Sequence, residues 1–512
     1  MFFLSSPLAN FTISNYRNIL KASSITGGAQ AATLIIGIVR TKLVAVLLGS
    51  GGLGLIGLYQ SLVSLIDSIT NLGLTSSGVR ELAAACGAGD TDRVSTISLV
   101  LKRSAWIIGL ASWLLTALFA VPIALWTFQS STQYLEIAAL GGVVLLTGLT
   151  ATRNSLLQAN QLLRKLALCG IYSALLGAGF SILLYWNYGK NGIVASLFGS
   201  GLIAFGCSVY FSKGLAPCRS SLNWKTFLTE VRKLASIGIA FMLGGILMAI
   251  VAVVTRGMII RELGVAANGL YQAAFALASM FGAFVLNAMV IDYFPRLSSV
   301  SGDNRAVNCL VNHQTEIGVL LALPGLIATL AFAPLILQVF YTAEFLPASR
   351  LLVGLFVGCF AQVVGWPLGF VGRAKGEALW VIGSECSLIL FHLAMTLVLL
   401  PLFGLFGVAL AFASFYFAYV FVMWGVARRL SGFQWSRAAL RIVGFASVLA
   451  ITTVLASEIL EVVPARICGV MLTCVACLFS ARGIALRLGA DHRLVRRLSM
   501  LPGWRLLRCK HP

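Results

Sequence analysis

Arg40 and Lys42 stand two residues apart in an otherwise apolar run, and Arg256 closes another such run. A charge at the centre of a membrane helix costs about 2.5–3.5 kcal/mol on insertion scales, so it persists where it faces protein, water or ligand. Cations outnumber nearby anions at these three positions, which favours a cationic cavity. Its ligand would be an anion, and an arginine fork suits a phosphate or pyrophosphate. Asp67 also lies inside an apolar run, with Asn71 one helical turn later on the same face. The structural alternative is an internal ion pair, such as Arg40 with Asp67, fastening the first two spans together. Arg80, Arg153, Asp292 and Arg296 sit at span ends on one side, where the cations could draw an anion to a mouth. Glu385 could couple to a proton or sodium ion, or pair with Arg373 or a backbone group. His392 reads as a packed, hydrogen-bonded histidine rather than a catalytic one.

These residues must be positioned by membrane helices. The chain has 512 residues, 59% hydrophobic and only 10% charged, with a mean hydropathy of +0.95. Soluble domains carry about 25% charged residues. That excludes a soluble enzyme, a disordered chain and a nucleic-acid-binding module, despite a net charge of +21. No serine–histidine–acid set, HExxH pattern or Walker A lysine is present, so no catalytic residue, metal site or cofactor is expected. The eleven cysteines read as small packing residues, including the Cys474–Cys477 C-x-x-C. Gly49-Ser50-Gly51-Gly52-Leu53-Gly54 matches G-x-G-x-x-G, but no strand precedes it; it reads as a tight turn between spans.

About fourteen spans of about 20 residues are expected, near 24–47, 53–75, 104–127, 135–157, 166–186, 192–212, 234–255, 269–291, 317–340, 349–371, 378–400, 404–427, 439–457 and 463–481. With the N-terminus in the cytoplasm, 30 of the 37 Lys and Arg residues fall on that side, as the positive-inside rule requires. Both termini are then cytoplasmic. Met1 to Ile19 does not read as a cleavable signal.

Gly57-Leu58-Tyr59-Gln60-Ser61 recurs as Gly269-Leu270-Tyr271-Gln272-Ala273. Arg40 precedes Gly49 much as Arg256 precedes Gly264, and Arg80 matches Arg296. The fold class expected is an all-α polytopic membrane protein of two six-helix lobes related by an internal repeat, plus two C-terminal helices. The lobes are 1–212 and 234–427, joined by a cytoplasmic linker, 213–233; the extra helices are 428–481 and a basic cytoplasmic tail is 482–512. Paired bundles of this kind suit a transporter with alternating access.

Arg40 to Gly49, Gly52-Leu53-Gly54 and Gly57-Leu58-Tyr59-Gln60 resemble the first helix and turn of Wzx-type flippases for O-antigen and lipid III, in the polysaccharide transporter branch of the MOP (MATE-like) superfamily. Ser77 to Ala83, Asp292 to Ser298, Tyr341 to Phe345 and Gly369 to Lys375 are similar to later segments of that family, so the resemblance spans most of residues 20–430. It implies a carrier that moves an undecaprenyl-diphosphate-linked glycan from the inner to the outer leaflet of the bacterial plasma membrane. It also implies that Arg40 is a cavity arginine. Tyr271-Gln272-Ala273-Ala274 lacks the cation found near the start of the eighth helix in the related lipid II flippase, and Arg256 could substitute. Partners implied are the lipid-linked glycan, membrane lipids, a proton or sodium gradient, and polysaccharide polymerase machinery. The rivals are a MATE-like multidrug/cation antiporter and a membrane enzyme of polysaccharide assembly. The antiporter predicts a cavity rich in acids, and the enzyme a large loop.

Overall fold

The computed structural model describes residues 7–71, 73–215 and 223–488. Side chains are described within 28–71, 73, 77–215, 223–234, 244–286, 293–377 and 379–487. The described chain is helical, with no strand, as a bilayer demands of a backbone that must satisfy its own hydrogen bonds. The helices are α1 (Pro7–Thr70), α2 (Leu74–Ala88), α3 (Thr91–Leu118), α4 (Ala120–Phe128), α5 (Tyr134–Ala159), α6 (Leu163–Tyr188), α7 (Ile193–Phe211) and α8 (Trp224–Leu263). They continue as α9 (Val265–Ser299), α10 (Asn304–Phe340), α11 (Ser349–Ala374), α12 (Ala378–Phe403), α13 (Leu405–Ser431), α14 (Arg437–Ile459) and α15 (Val462–Leu488).

Among the described residues eleven helical stretches are long and apolar enough to cross a membrane. Two of them, Gly28–Thr70 and Leu163–Phe211, each hold two of the expected spans. The first is broken at Gly49 and the second at Gly189. The expected span 234–255 lies in α8, which is not one of the eleven. The expected number of spans is therefore approximate, while the helical membrane architecture stands.

The repeat is sharper in the backbone than in the sequence. α5 and α6 have the same bounds as α11 and α12 displaced by 215 residues. Residues with positive φ fall in pairs at the same spacing: Gly49 with Gly264, Gln161 with Gly376, and Gly189 with Gly404. These are the turns between helices, where left-handed backbone ends one helix before the next begins. The Gly57 and Gly269 motifs are only 212 residues apart. The second copy is three residues shorter just after its glycine turn and regains register later.

By packing, the chain divides into two compact units, Met1–Gly269 and Leu270–Pro512. In the first, α5 packs on α3 and α7, and α6 packs on α7 and α1. In the second, α11 packs on α13 and α10, and α12 packs on α13. α8 belongs with the first unit, against α1 and α2. Its early turns bury Phe227 and Leu234 among Leu82, Ile97, Val100, Leu101 and Leu156. The part of the expected linker from Trp224 onward is thus helix.

A bidentate pair fastens those turns of α8. Arg93 donates to both carboxylate oxygens of Glu230, at 2.7 and 2.9 Å. Glu81 lies 3.6 Å from Arg93 and 3.8 Å from Lys233. The Arg93 guanidinium holds the Glu230 carboxyl below its ordinary value of 4.5. A carboxyl lowered by folding stabilises the fold above its unfolded pKa, and the contribution fades as acid protonates it. The pair is partly exposed, so its effect is below about 1 kcal/mol. Purified wild type should unfold about 1–2 °C above Glu230→Gln at pH 7, and the two midpoints should converge by about pH 3. A gap that persists in acid would assign the difference to something other than this charge.

In the second unit one face of α10 holds the turn that leads into α14. Asn308 donates to the Ser431 carbonyl at 3.1 Å, and Asn312 to the Gln434 carbonyl at 3.0 Å. Ser436 donates its hydroxyl to Glu316 at 3.1 Å. Asn308, Asn312 and Glu316 recur every four residues, so they share a face. Arg487, near the end of α15, completes the set by an ion pair with the buried Glu316. The helix therefore continues past Arg482, where the basic tail was expected to begin; 489–512 lie outside the described residues.

Candidate functional site

Arg40 is half-buried on the first half of α1 and faces α6, where it donates to Ser181 Oγ at 3.2 Å. Ser181 passes its own proton to the Gly177 carbonyl at 2.7 Å. No carboxylate among the described residues pairs with Arg40. The guanidinium carries five N–H donors, and a serine hydroxyl occupies one group of them. Lys42, two residues on, is exposed.

The pair considered between Arg40 and Asp67 does not form. A helix rises 1.5 Å per residue. Measured along the helices from the Gly49 break, Arg40 is therefore about 13 Å away and Asp67 about 27 Å. They sit at different depths. Asp67 instead hydrogen-bonds with Asn71, and the two line a cavity with Thr70 of α1, Ser104 of α3, and Gly148 and Thr152 of α5. Neither Arg40, Lys42 nor Arg256 lines that cavity. Arg256 is 5% exposed and donates to the Ala252 carbonyl of its own helix at 3.2 Å. The five residues expected to form one diphosphate site thus occupy three places in the first unit.

Of the expected mouth residues, Arg80 is exposed on α2 and Arg296 is exposed on α9. The Asp292 side chain lies outside the described residues. Arg153 stacks over Phe205, 5.5 Å from the ring centroid, and donates to Ser212 at 3.1 Å. It lines a second cavity with Lys102, Trp106, Ser95 and Ser98. Thr152 lines both cavities. In the second unit Glu385 is ion-paired with Arg373. His392 is buried, with Nδ1 3.4 Å from the Ala411 carbonyl and its ring against Phe415. No group of three His, Cys, Asp or Glu side chains suited to a metal ion occurs among the described residues.

Sequence reasoning missed Lys102 as the companion of Arg153, although α3 and α5 are neighbours in the expected order. It also missed Glu136. The buried Tyr59 of the repeated Gly-Leu-Tyr-Gln motif donates its hydroxyl to Glu136 in the first turn of α5. A lone acid at the outer end of an apolar span was the available signal.

The arrangement is that of a carrier. Isolated charged and polar side chains are set into apolar helices, in two units built on one repeated plan. Structures of known proteins agree. A lipid II flippase, MurJ, in an inward closed conformation matches with a TM-score of 0.67 at 15% identity, over 90% of this chain and 99% of that one. An inward-facing multidrug resistance MATE family transporter of the MOP superfamily matches at 0.61 and 15% identity, over 78% of this chain and 95% of that one. A MOP superfamily transporter from Pyrococcus furiosus matches at 0.53 and 14% identity, over 81% and 95%. The fold is therefore that of the MOP superfamily, in a multi-pass membrane protein. Residues 43–350 match the family described as polysaccharide biosynthesis protein, and the chain belongs to that family. Comparison with curated protein sequences finds no match.

Proposed function

We propose that the chain flips an undecaprenyl-diphosphate-linked oligosaccharide, an O-antigen or related repeat unit, from the inner to the outer leaflet of the bacterial plasma membrane. Alternating access would carry it, with both termini in the cytoplasm. The observation that carries this reading is Arg40. It is a half-buried guanidinium in a membrane helix whose partner among the described residues is a serine hydroxyl. Such a group is stabilised by an anion, and membership of a polysaccharide biosynthesis family makes a lipid-linked sugar diphosphate the anion of choice. Lys42 would share the diphosphate charge. Lys102 and Arg153 would gather it at the cytoplasmic mouth, with Arg80 and Arg296 as exposed cations nearby in sequence to the membrane surface. The lipid II flippase of like fold supports a lipid-linked cargo.

The test uses a strain lacking this protein but keeping the upstream glycosyltransferases. The lipid-linked glycan should accumulate and remain shielded from a lectin added to spheroplasts, and restoring the gene should expose it. Normal display without the gene would overturn the reading in that host. Resistance to cationic drugs conferred by the gene, with no change in glycan display, would favour an antiporter.

A further inference from the structure

We infer that Asp67, Thr70, Asn71, Ser104 and Thr152 form a binding site for a sodium ion within the first unit, whatever cargo the protein carries. Asp67 lies on a membrane-spanning stretch and no cation among the described residues pairs with it. No Lys, Arg or His lines its cavity. A lone carboxylate in that setting is costly unless its charge is met.

The surrounding groups offer oxygen lone pairs rather than protons. Thr70 gives its hydroxyl proton to the Ile66 carbonyl at 2.7 Å, and Thr152 gives its own to the Gly148 carbonyl at 3.0 Å. Each hydroxyl is then committed as a donor along its own helix and can only accept from the cavity. Asn71 is engaged with Asp67 through its side chain. Ser104 supplies the independent observation: it is 3% exposed, lines the cavity, and its Oγ has no hydrogen-bond partner. A buried hydroxyl left unbonded is rare and costs about 1–3 kcal/mol. An ion coordinated by these oxygens would satisfy the hydroxyl and the carboxylate together. Hard oxygen donors with a single negative charge suit a monovalent hard cation. The three helices supplying the oxygens, α1, α3 and α5, all belong to the first unit, so the ion would fasten them to one another.

The experiment uses the full-length protein in nanodiscs. The unfolding midpoint is followed against NaCl, with choline chloride holding the ionic strength constant, and 22Na binding is measured at equilibrium. Sodium should raise the midpoint, as a ligand bound only by the folded state does, and the radioactive ion should bind near one per chain. Asp67→Asn should lose both effects. Should that variant fold poorly, Ser104→Ala keeps the charge and should raise the half-saturating sodium concentration about tenfold. Equal midpoints in sodium and choline would overturn the site. So would a sodium response undiminished in Asp67→Asn and Ser104→Ala, or a response to pH alone with no bound 22Na. Loss of glycan export plays no part in these readouts, so the site and the proposed cargo can fail separately.

Discussion

Cells carrying Arg40→Gln should retain the lipid-linked glycan on the inner leaflet, with export reduced at least about a hundredfold and the protein present at its normal level. Glutamine keeps a hydrogen-bond donor for Ser181 and removes the charge. A folded protein is expected because no carboxylate among the described residues depends on Arg40 for neutralisation. What is lost is a charge-assisted fork toward the diphosphate, and such bonds are about twice as strong as neutral ones. Arg40→Lys should recover part of the activity, since an ammonium restores the charge without the planar pair of donors. The measurement is the amount of lipid-linked glycan protected from lectin in spheroplasts, normalised to the membrane content of each variant. Unimpaired export by Arg40→Gln would remove the residue from the site. Equal loss in Arg40→Gln and Arg40→Lys would show that the fork geometry matters more than the charge.

The membrane helices were legible because the bilayer imposes one rule on every span, and apolar length reports it. α8 was less so. Lys225, Glu230, Arg232 and Lys233 crowd its start, and Arg261 and Glu262 its end. What places its early turns is the burial of Phe227 and Leu234 on α2, α3 and α5. The motifs that carried the family resemblance turn out to be packing motifs. Tyr341 donates to the Ala273 carbonyl at 3.2 Å, and Phe345 is fully buried. A side-chain carbon at Gly369 would meet the Tyr419 hydroxyl at 1.9 Å. Such residues record how helices fit together, which is why they identify a fold better than a cargo.

Charged positions in the spans were equally visible, but their partners were not. Arg93 and Glu230 are 137 residues apart, and Glu316 and Arg487 are 171 apart. No spacing rule joins residues so distant. The Asp67 cavity depends on which faces of α1, α3 and α5 meet, and Ser104 and Thr152 look like ordinary small polar residues until that is known. The mismatch in depth between Arg40 and Asp67, by contrast, follows from counting residues on either side of Gly49. That break was already readable as a glycine turn.

The same turn supports the other large effect: Gly269→Ala should leave little correctly folded protein. A side-chain carbon at Gly269 would stand 1.8 Å from the Ser50 carbonyl oxygen and 2.6 Å from its carbon. Both neighbours are backbone, so no rotamer change can relieve the overlap. The opposing surface is as tight, for a carbon at Gly54 would fall 2.1 Å from the Val265 carbonyl oxygen. The buried Asn268 side chain donates to the Gly54 carbonyl at 2.7 Å, holding the two turns together from within. Overfilling a packed contact costs about 1–3 kcal/mol, and more where backbone must move. Gly269→Ala should therefore reach about 3 kcal/mol or more and also weaken the Asn268 bond. The check is the yield of monodisperse protein in detergent and its unfolding midpoint, with Gly444→Ala as the control. Nothing lies within 4 Å of a carbon added at Gly444, so alanine there should be neutral or, by its helix preference, stabilising by up to about 1 kcal/mol. A wild-type midpoint in Gly269→Ala would mean that the turns before α9 and after Gly49 do not meet this closely, and that the glycine in the repeated motif serves another purpose.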